Sequence, residues 1–575
     1  MNAKLFIPLS IVLLIACNKE DSPVNTNTTG GRTINSMTEL NVSEDFNWSA
    51  SFESELQVSF TNPYNLSVEE ELVYINDSQG KTLAKTTVKN GLANFKVQLP
   101  SNKQYFLSLP FTGHQQALIF QKQQNFDLSQ TTVGKAGPRF NKTTTGSCTV
   151  CETPLTNSLA ELPVISLGGQ TIVPANTVPG WETTASDNKI EIWSTGFSGV
   201  PAQEGNQFFE INANSTAALY QELCLEPGST IRWSAWHRGR AGTDVAIVRI
   251  GASLVSAAAQ QTMSTDNSDW KYYHGTYVVP ANEATTFFIF DASTTAGSNS
   301  VGNFLDNFRI SCDTDGDGVI DADDDYPEDP TRAYQSFFPS AGKQIVAFED
   351  LWPAKGDYDF NDLVMSNQVE ISHNANNELV DAKFTVSIDA LGAGLANGIG
   401  LMLRDESKAS LASGSIASVS GDVSVDPSDA AGLILTNDVF TTISSYYQNN
   451  GTGPSKTADT LRFTINFSAT AGGELLPELY LFRTNDRSLE IHRSGFAGSA
   501  SFDASRVNTG DDNGDFKTAN GLPWGIEIIS ANGFQHPLEK IDIVEAFSEF
   551  DAWAGSGGSQ NATWYLAPNP GKVFD

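Results

Sequence analysis

The sequence predicts a mainly β, multidomain protein. Gly is frequent at 47 residues, and Ser, Thr and Asn abound. Short runs that alternate apolar and polar residues recur between turn signals, and long helical patterns are almost absent. A length of 575 residues exceeds what one core fills, so three or four domains are expected. The formal net charge is −33. That excludes nucleic acid as a partner, which needs basic surface, and electrostatic docking on anionic lipid. It suits a cation-binding protein outside the cytoplasm.

The N-terminus reads MNAKLFIPLSIVLLIACNKEDSP. Lys4 precedes an apolar run too short to stay in a bilayer as a spanning helix. Leu14-Ile15-Ala16-Cys17 resembles a bacterial lipobox, which implies a signal peptide over 1–16 and a lipidated Cys17. Several acyl chains anchor firmly where one is marginal. Lys19-Glu20-Asp21 resembles the signal that sends Bacteroidetes-type lipoproteins to the outer face of the outer membrane. A polar, Gly-containing tether over 17–38 is expected to follow.

Residues 39–135 hold LQVSF, ELVYIND, ANFKVQLP and YFLSLP, with a turn at NDSQGK, and read as a small Ig-like β-sandwich with a spacer role. A linker is expected over 136–159. Besides Cys17, four cysteines remain: Cys148, Cys151, Cys224 and Cys312. An even number in an exported chain points to disulfides, with all three pairings open. No second CxxC or nearby His completes a zinc set.

Residues 160–312 carry IEIW, QFFEINA, STIRWSAWHRG, DVAIVRIG, WKYYHGTYVVP, TTFFIFDA and NFLDNFRIS. This order resembles a jelly-roll carbohydrate-binding module. The resemblance implies a structural calcium near the last strand, where Asp306 stands, and sugar contacts by aromatic and polar side chains. Trp193, Trp236, His237, Arg238 and Trp270 are the candidates for a polysaccharide or cell-surface glycan. Strand alternation does not say which face is wet, and packing tryptophans in the core is the commoner use.

Residues 313–330, DTDGDGVIDADDDYPEDP, place Asp313, Asp315 and Asp317 at loop positions one, three and five. Gly318 follows at six, Val319 offers its carbonyl at seven, and Asp321 and Asp324 stand at nine and twelve. Oxygen-rich calcium loops use this spacing, because a large divalent ion collects six to eight oxygens around a sharp turn. Asp at position twelve reaches less far than the usual Glu. The stretch also resembles one thrombospondin type-3 repeat, closing in Tyr326-Pro327. Calcium is therefore the expected cofactor, and the alternative is a solvated acidic linker.

FEDLWP and GDYDFNDLV, followed by RSLEIHRSGF, GLPWGIEI and FDAWAGSGG, resemble the LruC domain of surface and outer-membrane lipoproteins, over residues 343–570. That resemblance implies a β-rich domain without an assigned activity. Asp357, Asp359 and Asn361 fall on one side of an extended chain, and with Glu349, Asp350 and Asp362 they form a possible second metal site. Turn formation by Asp and Asn accounts for the same residues without metal. Ile541, Val544, Phe547 and Phe550 recur at helical spacing between Pro537 and Gly555, predicting one amphipathic helix.

No GxSxG, HExxH, Walker or strand-linked GxGxxG motif is present, and the six histidines are scattered. The functional expectation is a lipid-anchored, calcium-stabilised surface binding or adhesion protein. A purely structural envelope or matrix protein and a glycan-active enzyme are the alternatives. Oligomeric state is not readable.

Overall fold

The computed structural model describes residues 34–574 apart from 51, 62–71, 101–102, 110–113, 120–122, 128–154, 322, 422 and 470. Three β-rich units follow one another after a short first strand, β1 (Ser49–Ala50).

The first unit contains β2 (Phe52–Thr61), β3 (Leu72–Asp77), β4 (Thr82–Thr87), β5 (Leu92–Leu99), β6 (Tyr105–Leu109), β7 (His114–Ala117) and β8 (Gln123–Asp127). Sheets β5-β2-β8 and β4-β3-β6-β7 enclose Val58, Val73, Ile75, Phe95, Leu107 and Phe126. In β5 the alternation is plain: Ala93, Phe95, Val97 and Leu99 are buried, because one face meets the core and the other meets water.

The second unit holds β9 (Gln170–Pro174), β10 (Glu182–Thr183), β11 (Lys189–Ser194), β12 (Gln207–Glu210), β13 (Ala218–Leu223) and β14 (Thr230–Arg238). It continues with β15 (Asp244–Gly251), β16 (Ala258–Thr265), β17 (Lys271–Val278), β18 (Thr286–Thr294) and β19 (Phe304–Asp313). A six-stranded sheet, β17-β14-β19-β12-β11-β9, packs on a five-stranded one, β10-β13-β18-β15-β16. Trp181, Phe209, Trp233, Phe288 and Phe308 fill the space between them. Leu155 and Ala160 belong to this core, so the unit begins before residue 160.

The third unit comprises β20 (Tyr334–Phe338), β21 (Lys343–Phe348), β22 (Leu363–His373), β23 (Leu379–Ala390), β24 (Asn397–Arg404), β25 (Ile416–Gly421), β26 (Ser424–Val425) and β27 (Gly432–Thr436). Then come α1 (Val439–Thr442), β28 (Asp459–Phe467), β29 (Leu476–Arg483), β30 (Asp486–Ile491), β31 (Gly525–Ser530), α2 (Ile543–Ala546) and α3 (Phe550–Gly555). The large sheet runs β1-β31-β21-β22-β23-β28-β25, with β20 also paired to β22. One face packs on the smaller sheet β26-β27-β24-β29-β30 around Met365, Phe384, Leu401 and Leu479. The other face, through Ile345, Val364, Ile526 and Ile528, is covered by α2, α3 and the N-terminal segment. Covered on both sides, β31 is buried at every residue and loses the alternation of a half-wet strand.

Two expectations need correction. Residues 37–50 are neither tether nor part of the first sandwich. Met37, Leu40, Val42, Phe46 and Trp48 are buried in the third unit, and β1 pairs parallel with β31 through Ser49↔Glu527. Trp48 packs against Phe46, Phe550 and Trp553 and donates its indole N–H to the Gly521 carbonyl at 2.9 Å. The predicted single helix is two short ones. Asp542 caps α2 by accepting from the Val544 amide, and Phe547 ends it in extended conformation. The break lets Phe547 and Phe550 both set their rings against Trp564 at 4.9 and 4.7 Å, which one straight helix face does not require.

Candidate functional sites: two carboxylate clusters and an aromatic strip

The Asp-rich stretch leaves β19 at Asp313 and turns tightly. Both Asp313 oxygens accept backbone amides, from Gly316 at 2.7 Å and Gly318 at 3.0 Å. Gly318 has φ +100°, a conformation that glycine adopts without a Cβ penalty. Asp315 and Asp317 each accept one amide two residues on, and their Oδ2 atoms have no partner. Ligand oxygens of Asp313, Asp315 and Asp317 all lie within 4.8 Å of one another. Burial, and then the charges of Asp317 and Asp315, push Asp324 up to about 6. Asp321 stands outside this group, and Thr314 donates to both its oxygens at 2.7 Å. No side-chain role falls to Val319, which is buried.

This stretch is not an open linker. Tyr74 of the first unit donates to Asp323 at 3.0 Å, and Lys85 pairs with Asp325 at 2.8 Å. Arg232 of the jelly roll reaches the Gly318 carbonyl, and the Asp321 amide donates to Cys312. On the third side Arg332 bridges Asp329 and Asp381 at 2.9 and 2.7 Å. All three units therefore meet on it.

The second cluster lies where β21 ends. Ligand oxygens of Glu349, Asp357 and Asp359 converge within 4.8 Å, with Glu349 fully buried and Asp359 1% exposed. Glu349 Oε1 accepts the Phe360 amide at 2.8 Å, while Oε2 has no partner. Gly356 is required here, since a Cβ at that position would lie 1.6 Å from Glu349 Oε2. Asp359 accepts the amides of Asn361 and Lys540. Burial, then the Asp357 charge, raises Asp359 to about 7, and burial with Asp350 raises Asp362 to about 8. Glu349 is held well above the carboxylate range by burial and then Asp362. Among the described residues no Lys or Arg pairs with these four acids, so their mutual repulsion stands uncompensated. Asp350 is a correction to the expected ligand set. It is taken by Arg483 at 3.4 Å and by the Asn397 amide at 2.7 Å. Asn361 is buried, donates to the Pro537 carbonyl at 3.2 Å, and keeps an unpartnered Oδ1.

In the jelly roll, successive residues of the six-stranded sheet point alternately inward and outward. Trp193 points outward yet is 2% exposed. It packs on Phe197 and Phe304, lies under Arg240, and donates to Glu191 at 2.9 Å. His237 is fully buried between Thr265 and Asn303, both at 2.9 Å, and burial pushes it down to about 4. Arg238 spends its guanidinium on the carbonyls of Asn267 and Ser268. Trp270 donates to the Pro201 carbonyl at 2.9 Å and so pins the 197–203 loop. These four candidates are therefore packing and loop-holding residues. Asp306 accepts the amides of Gln203, Glu204 and Asn307, and among the described residues it joins no group of three carboxylates close enough to share an ion.

Trp236 is half-exposed, as Trp270 is, but its ring lies 5.3 Å from Tyr272, which stacks on His274 at 5.4 Å. Tyr272 is 37% exposed, and His274 is exposed. The strip forms because Trp236 pairs with Tyr272 and Ser234 with His274 across β14 and β17. Tyr272 and His274 were not singled out in the sequence. The alternation of KYYHGTY carries the signal, since it sets both on the face opposite the buried Tyr273. Cys224 is exposed at the end of β13 and Cys312 is buried in β19. Cys17, Cys148 and Cys151 lie outside the described residues.

Fold and sites together define a mainly β, multidomain protein with a jelly-roll unit and two acidic clusters. A family model described as a domain of unknown function (DUF4842) matches residues 377–565, within the segment that resembles LruC. Among solved structures the chain is similar to a Bacteroides ovatus protein named as a lipoprotein. Identity is 14% and the TM-score 0.33, over 69% of this chain and 98% of that one. It is also similar to the CBM22-2 xylan-binding domain of Paenibacillus barcinonensis Xyn10C. There identity is 12% and the TM-score 0.19, over 25% of this chain and 98% of that domain. A family 22 carbohydrate-binding module of Clostridium thermocellum Xyn10B shows 13% identity and a TM-score of 0.19, over 24% and 87%. No curated protein matches the chain.

Proposed function

We propose that this protein is a lipid-anchored surface binding protein that takes polysaccharide on the Trp236–Tyr272–His274 strip, with calcium in the Asp-rich loop bracing the junction of its three units. The strip carries the reading. Stacked, solvent-facing aromatics on a rigid sheet present flat apolar faces, and the axial C–H face of a sugar ring is apolar as well. Most other aromatics of that face are packed away, so an exposed set stands out. The paired carboxylates on the same face, Glu191 and Glu210, are buried and tied to Trp193 and Arg240, out of a polysaccharide's reach. Binding without turnover is therefore the favoured chemistry. For the loop, the unpartnered Oδ2 atoms of Asp315 and Asp317 support calcium, as does the crowding of like charge. The lipobox-like Cys17 supports the anchor, and the even number of remaining cysteines, which suits disulfides, supports an exported address.

The test is affinity electrophoresis of wild type and Trp236→Ala/Tyr272→Ala through gels containing plant or microbial polysaccharides. We expect retardation of the wild type on at least one polysaccharide and its loss in the variant. Equal migration of both proteins in every gel removes the reading. A purely structural role is the second reading, favoured by the use of Trp193, His237, Arg238 and Trp270 in packing and loop anchoring. It predicts that equal migration.

A further inference from the structure

We propose that Glu349, Asp357 and Asp359 form a calcium site of their own, and that the bound ion fastens the N-terminal segment to the third unit. The site is independent of the polysaccharide reading and of the Asp-rich loop.

An acidic cluster alone would not carry this. Here the Glu349 side chain is fully buried, and its Oε2, which lies against Gly356 just before Asp357, lacks any partner. A buried carboxylate oxygen with neither donor nor cation costs far more than a solvated one. Oxygen separations up to 4.8 Å fit a shell with metal–oxygen distances of about 2.3–2.6 Å on either side of one ion. The donors are carboxylate oxygens, and Asp357 is exposed, which gives the ion an entrance and room for water ligands. Hard oxygen donors in a loose shell select calcium over magnesium, which demands a tighter octahedron.

The consequence follows from what the turn holds. The Asp359 carboxylate accepts the Lys540 amide at 2.8 Å, and the Tyr358 carbonyl accepts the Ile543 amide at 2.9 Å. These two bonds set the start of α2. Asp542, at its cap, accepts Ser36 Oγ at 2.9 Å and the Met37 amide at 2.8 Å. An ion that neutralises the 349–359 turn therefore steadies the very residues on which the N-terminal segment docks.

Full-length wild type and Asp357→Asn are freed of metal and titrated with calcium chloride, with equivalents bound read by equilibrium dialysis and melting read without and with calcium. Asp357 is exposed, so the substitution leaves the core intact. We expect the variant to bind one equivalent fewer than wild type, and to melt at the same or a higher temperature than wild type without metal, because repulsion is relieved. Equal equivalents in the two proteins overturn the site. A lower metal-free melting temperature in the variant overturns it as well, since Asp357 would then be a structural residue. Calcium should slow protease cleavage within residues 34–50 at least tenfold in wild type and not in the variant. Cleavage indifferent to calcium in both overturns the fastening.

Discussion

A single histidine shows how much of the third unit is held by charge. His492 is fully buried, stacked on Tyr480 at 4.5 Å, with Glu478 at 2.6 Å and Glu490 at 2.9 Å on its two nitrogens. Both glutamates pull its pKa up against burial, and Arg404 joins Glu478 at 2.6 Å. Removing one partner from such a buried pair leaves uncompensated charge, so His492→Leu should cost about 3–5 kcal/mol. Urea unfolding measures it, and a loss under about 1 kcal/mol would contradict this account. His237 gives the opposite case. Its folded pKa is lowered from 6.5 to about 4, so between those values the unfolded chain takes up a proton that the folded chain refuses. Stability therefore falls on acidification through that window. In His237→Gln the slope of stability against pH should be shallower there by up to about 1.4 kcal/mol per pH unit, and identical slopes would exclude it. Neither role was readable in the sequence. Asn303 lies 66 residues from His237 and Glu478 14 from His492, so only Glu490, two residues from His492, is a local partner. The Asp spacing of the loop was readable, because its turn bonds span only two to five residues.

At the scale of elements, strands such as β5, β14, β15 and β18 were legible, while β9, β16 and β24 were not, and neither was partnership. Period-two alternation marks a half-wet strand, but nothing local says that residues 37–50 leave the neighbouring sandwich to cover a distant sheet and pair Ser49 with Glu527. The helical spacing over 541–550 was real, yet the chain spends it on two short helices around Trp564. The Asp-rich joint was legible as a tight acidic turn and illegible as a three-way contact. A ligand that binds only the folded form stabilises it by mass action, by about 2.7 kcal/mol at a hundredfold excess over its dissociation constant. Calcium should therefore protect the joint from limited proteolysis near 313–330 in wild type. Asp315→Ala with Asp317→Ala should abolish that protection. Equal cleavage of wild type with calcium and with chelator would mean that the joint binds no ion.

For the whole molecule, the N-terminal docking limits where the third unit sits. If Cys17 carries lipid, only residues 18–33 separate it from the first described residue, Ile34. A segment of that length spans at most about 55 Å. Cys17→Ser should move the protein from the membrane to the soluble fraction, read by fractionation and immunoblot; full retention would refute the anchor. The docking of residues 34–50 also has a mechanical consequence. From residue 34 the polypeptide lies on the third unit, runs out through the small sandwich and the jelly roll, and returns through the acidic joint to the unit it left. If the jelly roll holds a polymer as proposed, tension applied there divides between two routes before it reaches Ile34. One is the covalent path back through the small sandwich, and the other is the joint. Where they rejoin, the load falls on the two-residue β1–β31 pairing and the aromatic packing around Trp48, which makes that junction the fuse of the assembly.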